Sequence, residues 1–444
     1  MIRHMAQSRS RLRQQMTILG SMYLGYGAMM VCRQMVTILS VAIQEDPTLS
    51  VTNADVGDFL GYGTIGAMVG KFVWGPLGDR IGGRATFLLG IVLSAALVAA
   101  FGFSPNIAAF ILFSFLLYGV KSAGWPGMTK LVAEWYHPRN YGRVWSILST
   151  SSRASVVLGS LFFGWLLNFM SWRGVAVAAG AVALVIGGLC YFTVNERPAD
   201  PEFLDDEPQD GADAEYAAEA AQALENKRNH PLHGLTLGGA LLAFAKSTRC
   251  WLVVIMLMTL TVLMAVLDFM PLYLRQVYGL SAANATMASS VFPLGSLAGL
   301  IASIFLYDRF SRKGLRRVLS VMLLFTTGCV LMLKALPGLG FESQTNYVAA
   351  LVLIFGIGFS ISPSYYIPMS IFSIEFGGPF AATLVCLIDA SSFGASATFN
   401  FVGGRLSEGA GGWDAVMTVI ISVAVLATLS VWGFMNAEYR ASRR

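Results

Sequence analysis

Four cations stand inside long apolar stretches of this chain: Arg33 in MVCRQMVTIL, Lys71 in GYGTIGAMVGKFVWGPLGDR, Lys121 among Ser114, Tyr118 and Trp125, and Arg153 among Ser146, Ser149 and Ser160. A guanidinium offers a planar fork for phosphate or carboxylate oxygens, and an ammonium offers a compact point charge. Two carboxylates hold similar positions further along: Asp268, just before Pro271, and Asp389, near Ser392 and Asn400. A tyrosine pair, Tyr365 and Tyr366, lies in SPSYYIP. This set of side chains suits the holding of an anion by charge and hydrogen bonds. It does not suit bond-breaking chemistry: there is no GxxxxGK[ST] loop for nucleotide phosphates, and His137, His230 and His233 of the four histidines fall in loops without metal-ligand spacing. No cofactor and no catalytic residue are expected.

The elements that position these groups follow from composition. Of 444 residues, 55% are hydrophobic and only 12% charged, where soluble domains carry roughly a quarter charged. Apolar runs of roughly 20 residues, the length that crosses a hydrocarbon core, recur along the chain. They predict helices over 16–43, 53–77, 84–104, 107–135, 141–168 and 172–194, then 250–278, 282–307, 316–336, 345–376, 379–404 and 413–437. The expected fold is an all-α polytopic membrane protein with twelve transmembrane helices in two six-helix halves, 1–194 and 250–444. Between them, 195–249 is acidic and poor in large apolar residues and reads as a cytoplasmic linker, with a helix across AEYAAEAAQALENKR.

Basic residues in short loops mark the cytoplasmic side. Arg3, Arg9, Arg11 and Arg13 precede the first helix, Arg80 and Arg84 follow the second, His137, Arg139 and Arg143 follow the fourth, and Arg309, Arg312, Lys313, Arg316 and Arg317 follow the eighth. Both termini are therefore expected to be cytoplasmic. The basic N-terminus leads into an apolar stretch too long for a signal peptide, so it reads as a retained first helix. The net charge of +5 reflects this loop asymmetry, and no aromatic-basic nucleic-acid motif accompanies it. Cys32, Cys190, Cys250, Cys329 and Cys386 fall in or beside predicted helices without CxxC spacing and read as packing residues.

A charge at mid-helix costs about 2.5–3.5 kcal/mol on insertion scales, so several such residues line a wet cavity or pair with one another. Lys71 shares a helical face with the small residues Thr64, Ala67, Gly75 and Gly78 and reads as inward-facing; the alternative is a side chain that snorkels to the cytoplasmic surface. Arg33 reads as an anion ligand or as a structural arginine near the outer end. Ser114, Tyr118, Lys121 and Trp125 form one aromatic-polar stripe on the fourth helix. Asp268 and Asp389 either pair with the basic cluster or carry a proton on a carboxylate whose pKa burial raises. Tyr365 and Tyr366 either contact a substrate or pack.

The two halves echo each other. GPLGDRIGGRATFL at 75–88 matches LYDRFSRKGLRRVL at 306–319, with Asp79 and Asp308 separated by 229 positions, and SWRGVAV at 171–177 weakly matches GGWDAVM at 411–417. GPLGDRIGGR resembles the loop signature between helices two and three of the major facilitator superfamily. The resemblance implies a charged cytoplasmic latch at Asp79 and Arg80, repeated at Asp308 and Arg309.

Within that superfamily the chain resembles the organophosphate:phosphate antiporters, through GKFVWGPLGDR at 70–80, GWPGMTKLVAEWY at 124–136, GRVWSI at 142–147, VLDFMPLYL at 266–274 and SPSYYIP. The resemblance implies that Arg33 holds phosphate. It also exposes departures. The second clamp arginine, on helix seven, is replaced by Leu263, the helix-five histidine by Ser152 beside Arg153, the lysine after the helix-one arginine by Gln34, and a helix-four position that is often glutamine carries Lys121.

The expected function is secondary transport of a small organic anion, a phosphate ester or carboxylate, by alternating access, in a bacterial inner membrane and as a monomer. Two alternatives stay open. One is a proton-coupled carboxylate or zwitterion symporter, or an exporter of drugs or siderophore-like compounds. The other is a non-transporting sensor of a phosphorylated metabolite.

Overall fold

The computed structural model describes residues 2–137, 140–198, 232–310, 312–340, 342–377 and 380–441, and the side chains of these apart from 2–10, 237, 304–309, 312, 366–375, 377, 381, 382, 438 and 441. The linker helix expected across AEYAAEAAQALENKR, and Arg139, lie outside the described residues.

Regular structure among the described residues is helical: α1 (Ile2–Ile38), α2 (Ser40–Gln44), α3 (Asn53–Ile81), α4 (Gly83–Gly102), α5 (Ile107–Lys121), α6 (Gly124–Trp135), α7 (Tyr141–Leu166), α8 (Trp172–Thr193), α9 (Leu237–Lys246), α10 (Thr248–Tyr278), α11 (Ala282–Ser289), α12 (Val291–Arg309), α13 (Arg312–Ala335), α14 (Ser343–Gly377), α15 (Ala381–Glu408) and α16 (Gly412–Ala441). Eleven spans among the described residues are long and apolar enough to cross a membrane. The remaining long helix, α3, has 29 residues but is diluted by glycines and by Asp55, Asp58, Lys71, Asp79 and Arg80. With it, the expected twelve-helix arrangement is present.

Two spans are interrupted just ahead of a proline. α5 and α6 form one span from Ile107 to Trp135, broken where Ser122 and Ala123 donate to the Gly119 and Val120 carbonyls in tighter i to i−3 turns. The sequence explains the break: Pro126 has no N–H to return to the Ser122 carbonyl. Pro293 acts likewise between α11 and α12, where the Ser290 N–H turns back to the Met287 carbonyl. Pro271, by contrast, lies inside an uninterrupted α10.

The chain divides into two compact units, unit 1 comprising 1–39 and 65–220, and unit 2 comprising 40–64 and 221–444. In unit 1, α3 and α5 meet backbone to backbone. A Cβ at Gly66 would lie 2.0 Å from the Phe115 carbonyl oxygen, and one at Gly70 would lie 2.2 Å from that of Gly119. Unit 2 repeats the contact between α12 and α14, where a Cβ at Gly295 would lie 2.2 Å from the Phe355 oxygen and one at Gly299 2.2 Å from that of Phe359. Gly66 and Gly295 are 229 positions apart (295 − 66), as are Gly70 and Gly299 (299 − 70), the spacing that also relates Asp79 to Asp308. Small residues four apart allow this approach, which is a common way for membrane helices to pack. Gly75, by contrast, has open space where a Cβ would be.

At the ends of unit 1, the Glu196 carboxylate accepts from the N–H groups of Gly83 and Arg84, both at 2.7 Å. It caps α4, whose preceding residue Gly82 has φ +90° and no side chain to offer. Asp79 pairs with Lys130 of α6 at 3.3 Å.

In unit 2 the first part of α3 crosses α15. A Cβ at Gly57 would lie 2.5 Å from the Asn400 oxygen and 3.1 Å from the Gly404 Cα. Around the crossing, Arg405 forks onto both oxygens of Asp58 at 2.8 and 3.2 Å, Arg275 donates to Glu45 at 2.8 Å, and Asn53 donates to Gln276 and Ser407. Arg405 is more than half exposed, its side chain 57% accessible. Asp58→Asn is therefore expected to cost less than about 1 kcal/mol, read as a small drop in melting temperature in detergent. A loss of folded protein would contradict this.

Candidate substrate site

The cations of unit 1 are arranged around α1 and the broken α5–α6 span. Arg33 and Tyr26 stand seven residues apart on α1, on one face. Tyr118 and Lys121 lie in the last turn of α5, and Trp125 follows across the break. The contacts are reciprocal. The Arg33 guanidinium of α1 lies 4.4 Å from the centre of the Tyr118 ring of α5, and the Lys121 ammonium of α5 lies 5.6 Å from the centre of the Tyr26 ring of α1. Each helix thus supplies one cation and the ring that seats the other's. A ring face attracts and orients a cation but carries no formal charge to cancel it.

An aromatic wall continues from there. Tyr26 meets Trp125 edge-on at 5.9 Å, and Trp125 stacks on Trp145 of α7 at 4.7 Å with planes 16° apart. Trp125 remains 41% exposed. Gly124 makes room for this wall, since a Cβ there would lie 2.5 Å from the Tyr26 ring. Gly27 does the same where α1 meets α7, with Ser155 Oγ 2.3 Å from where its Cβ would stand. Sequence reasoning missed Tyr26, Trp145 and Gly124 as parts of the site. The signal available was the aromatic character of GRVWSI and the glycine just after Lys121.

Electrostatics follow from the sequence of the spans. Residues 11–38, 65–78, 83–102, 107–133, 141–166 and 172–193 of unit 1 contain no aspartate or glutamate; Asp79 and Glu134 stand at the ends of α3 and α6. The Ser114 hydroxyl and the Gln34 side-chain oxygen are buried with no hydrogen-bond partner among the described residues. Arg153 is half-buried on α7. The serines expected to share its face turn inward on their own helix, Ser146 donating to the Gly142 carbonyl and Ser149 to that of Trp145; their oxygens keep lone pairs but their protons are committed.

Lys71 is exposed at the surface of unit 1, beside Phe72 and Val73 at 60% and 52% exposure. The small residues of its stripe are used for packing: Thr64 and Ala67 are buried, and the Ala67 carbonyl accepts from Ser122. Arg80 is exposed. In unit 2, Asp268 is buried on α10 and Asp389 is half-buried on α15. Leu263 is buried at 1% exposure. Asn400 is fully buried and donates to Thr64 at 3.4 Å. Tyr365 is half-buried on α14, whereas the side chains of Tyr366, Asp308 and Arg309 lie outside the described residues.

Twelve long helices in repeated halves, with cations gathered inside the spans, define a polytopic membrane transporter. The chain belongs to the Major Facilitator Superfamily, whose sequence pattern matches residues 22–383. It is 27% identical over 339 residues to the "Probable hexose phosphate transport protein" of Chlamydia trachomatis, covering 73% of this chain and 70% of that one. It is 25% identical over 346 residues to the membrane sensor protein UhpC of Escherichia coli, covering 78% and 75%. Among solved structures, a bacterial homologue of the human lysosomal transporter Spinster superposes with a TM-score of 0.67 over 95% of this chain and 97% of that one at 15% identity.

Proposed function

We propose that this chain is a secondary transporter that carries a phosphate ester, a sugar phosphate in the first place, by alternating access. The observation that carries the reading is the reciprocal seating of Arg33 on Tyr118 and of Lys121 on Tyr26. Two oriented cations on neighbouring helices suit the oxygens of one phosphate group, and the exposed Trp125 face suits the organic part of the ester. The anion is held from one unit: Lys121 takes the place of the clamp arginine that Leu263 lacks. Arg153 and Lys71 add positive potential along the route. Tyr365 and Tyr366 are further candidates for contact with substrate. The similarity to a hexose phosphate transport protein supports the choice of ester.

The moving bodies are the six-helix halves 1–194 and 250–444, joined by the linker 195–249. Asp268 and Asp389 serve coupling, and Asp79–Arg80 with Asp308–Arg309 serve gating at the cytoplasmic side. The chain works as a monomer in a bacterial plasma membrane with both termini in the cytoplasm, and it is not an enzyme.

A second reading, a sensor of the same ester, is favoured by the similarity to UhpC. Proteoliposomes separate the two. Saturable uptake of labelled glucose 6-phosphate against internal phosphate or esters supports transport, and binding without uptake supports sensing. In the same assay Lys121→Gln is expected to raise the half-saturating concentration of ester by about tenfold, the value of one charge-assisted hydrogen bond. Unchanged affinity in that variant would remove Lys121 from the site.

A further inference from the structure

Unit 2 carries a second group of recognition side chains, at the end where α10, α13 and α15 finish and α14 and α16 begin. Two adjoining clefts open there and share Val277 and Pro337. One, of about 250 Å³, reaches Trp413, Lys334 and Asp414. The other, of about 350 Å³, reaches Tyr278, Tyr347, Gln344 and Asn346. A row of rings links them. Trp413 meets Tyr273 at 5.5 Å and 79°, Tyr273 meets Tyr278 at 6.0 Å and 75°, and Tyr278 meets Tyr347 at 6.2 Å and 57°. Successive rings are turned against one another, so both faces and edges are presented along the clefts.

The lining is neutral overall. The Lys334 ammonium is engaged by Asp414 at 3.2 Å and by the Thr418 hydroxyl at 2.8 Å, and among the described residues no other charged side chain lines either cleft. Trp413 is fixed by its indole N–H, which donates to Gln276 at 2.7 Å. The amides of Gln344 and Asn346 and the Ser343 hydroxyl line the second cleft, Gln344 and Ser343 being exposed, and amide and hydroxyl groups can both donate and accept.

We propose that these joined clefts bind a neutral polyhydroxylated ring, the chemistry of a sugar without its phosphate. The apolar C–H face of such a ring lies on an aromatic face, and its hydroxyls exchange hydrogen bonds with the amides. A few placed polar groups among aromatic walls is how small-molecule clefts of this size gain specificity. A free anion gains nothing here, because the one cation is already paired. This site is distinct from the Arg33 group and does not depend on the reading given to it.

The ring can be a free sugar or the headgroup of a glycolipid. Saturation-transfer NMR with glucose on the full chain, purified in a detergent without sugar headgroups, tests the site. A saturable millimolar signal is expected. It should fall fivefold or more in Tyr347→Ala and in Gln344→Ala, each checked for an unchanged melting temperature, and stay unchanged in Arg33→Ala. In phospholipid nanodiscs, displacement of glucose by added glycolipid assigns the headgroup, and persistence of the glucose signal assigns the free sugar. The proposal is overturned by the absence of a saturable signal, by a signal equal in both cleft variants and the parent, or by displacement with inorganic phosphate alone.

Discussion

Replacing Arg33 by alanine is expected to lower uptake of a phosphate ester by about 100-fold or more, the loss that follows when one partner of a desolvated charge pair is removed. The guanidinium is seated on the Tyr118 ring at 4.4 Å, so its removal takes away both a charge and an orientation fixed before substrate arrives. Arg33→Lys should recover only part of the activity. An ammonium keeps the charge but not the fork, and its shorter head does not lie flat over the ring as a guanidinium does. Initial uptake rates normalised to protein content in proteoliposomes measure both variants. Uptake above a tenth of the parent in Arg33→Ala would place the anion elsewhere.

Leucine at Gly66 is expected to prevent stable folding. A Cβ there would stand 2.0 Å from the carbonyl oxygen of Phe115, and backbone on the facing helix cannot turn aside as a side chain does. Overpacking in an accommodating core costs about 1–3 kcal/mol; here the obstacle is main chain, and the cost falls at or above the top of that range. Gly295→Leu in unit 2 should behave alike, given its 2.2 Å approach to Phe355. Gly75→Ala is the control, since open space awaits its methyl group. Size-exclusion profiles and melting curves in detergent report the outcome. Parent-like stability in Gly66→Leu would mean that α3 and α5 can separate without penalty.

Much of the fold was legible because membrane spans are written in long apolar runs, which local composition reveals. Helix ends were less legible. α1 begins at Ile2, ahead of the expected 16, because polar residues such as those of SRSRLRQQ continue a helix as readily as apolar ones do. The short α9 fell inside a stretch expected to be linker, where LGGALLAFAK is too brief to stand out as a span.

At the site, Arg33 and Lys121 announced themselves as charges in apolar surroundings. Tyr26 did not, since a tyrosine in a span is ordinary, and only the packing of α1 against the broken α5–α6 span gives it a cation to seat. The face of Lys71 was read from small neighbours, of which Thr64 and Ala67 are buried. Glu196 was unreadable for a different reason: it caps a helix that begins 113 residues earlier in the chain.

The glycine contacts between α3 and α5, and between α12 and α14, leave no layer of side chains between the paired helices. Interdigitated side chains let helices slip past one another by changing rotamers; main chain against main chain has no such lubricant. Each pair is therefore a stiff two-helix plank, and shear within a unit must be accommodated along its other faces, where bulky residues can rearrange.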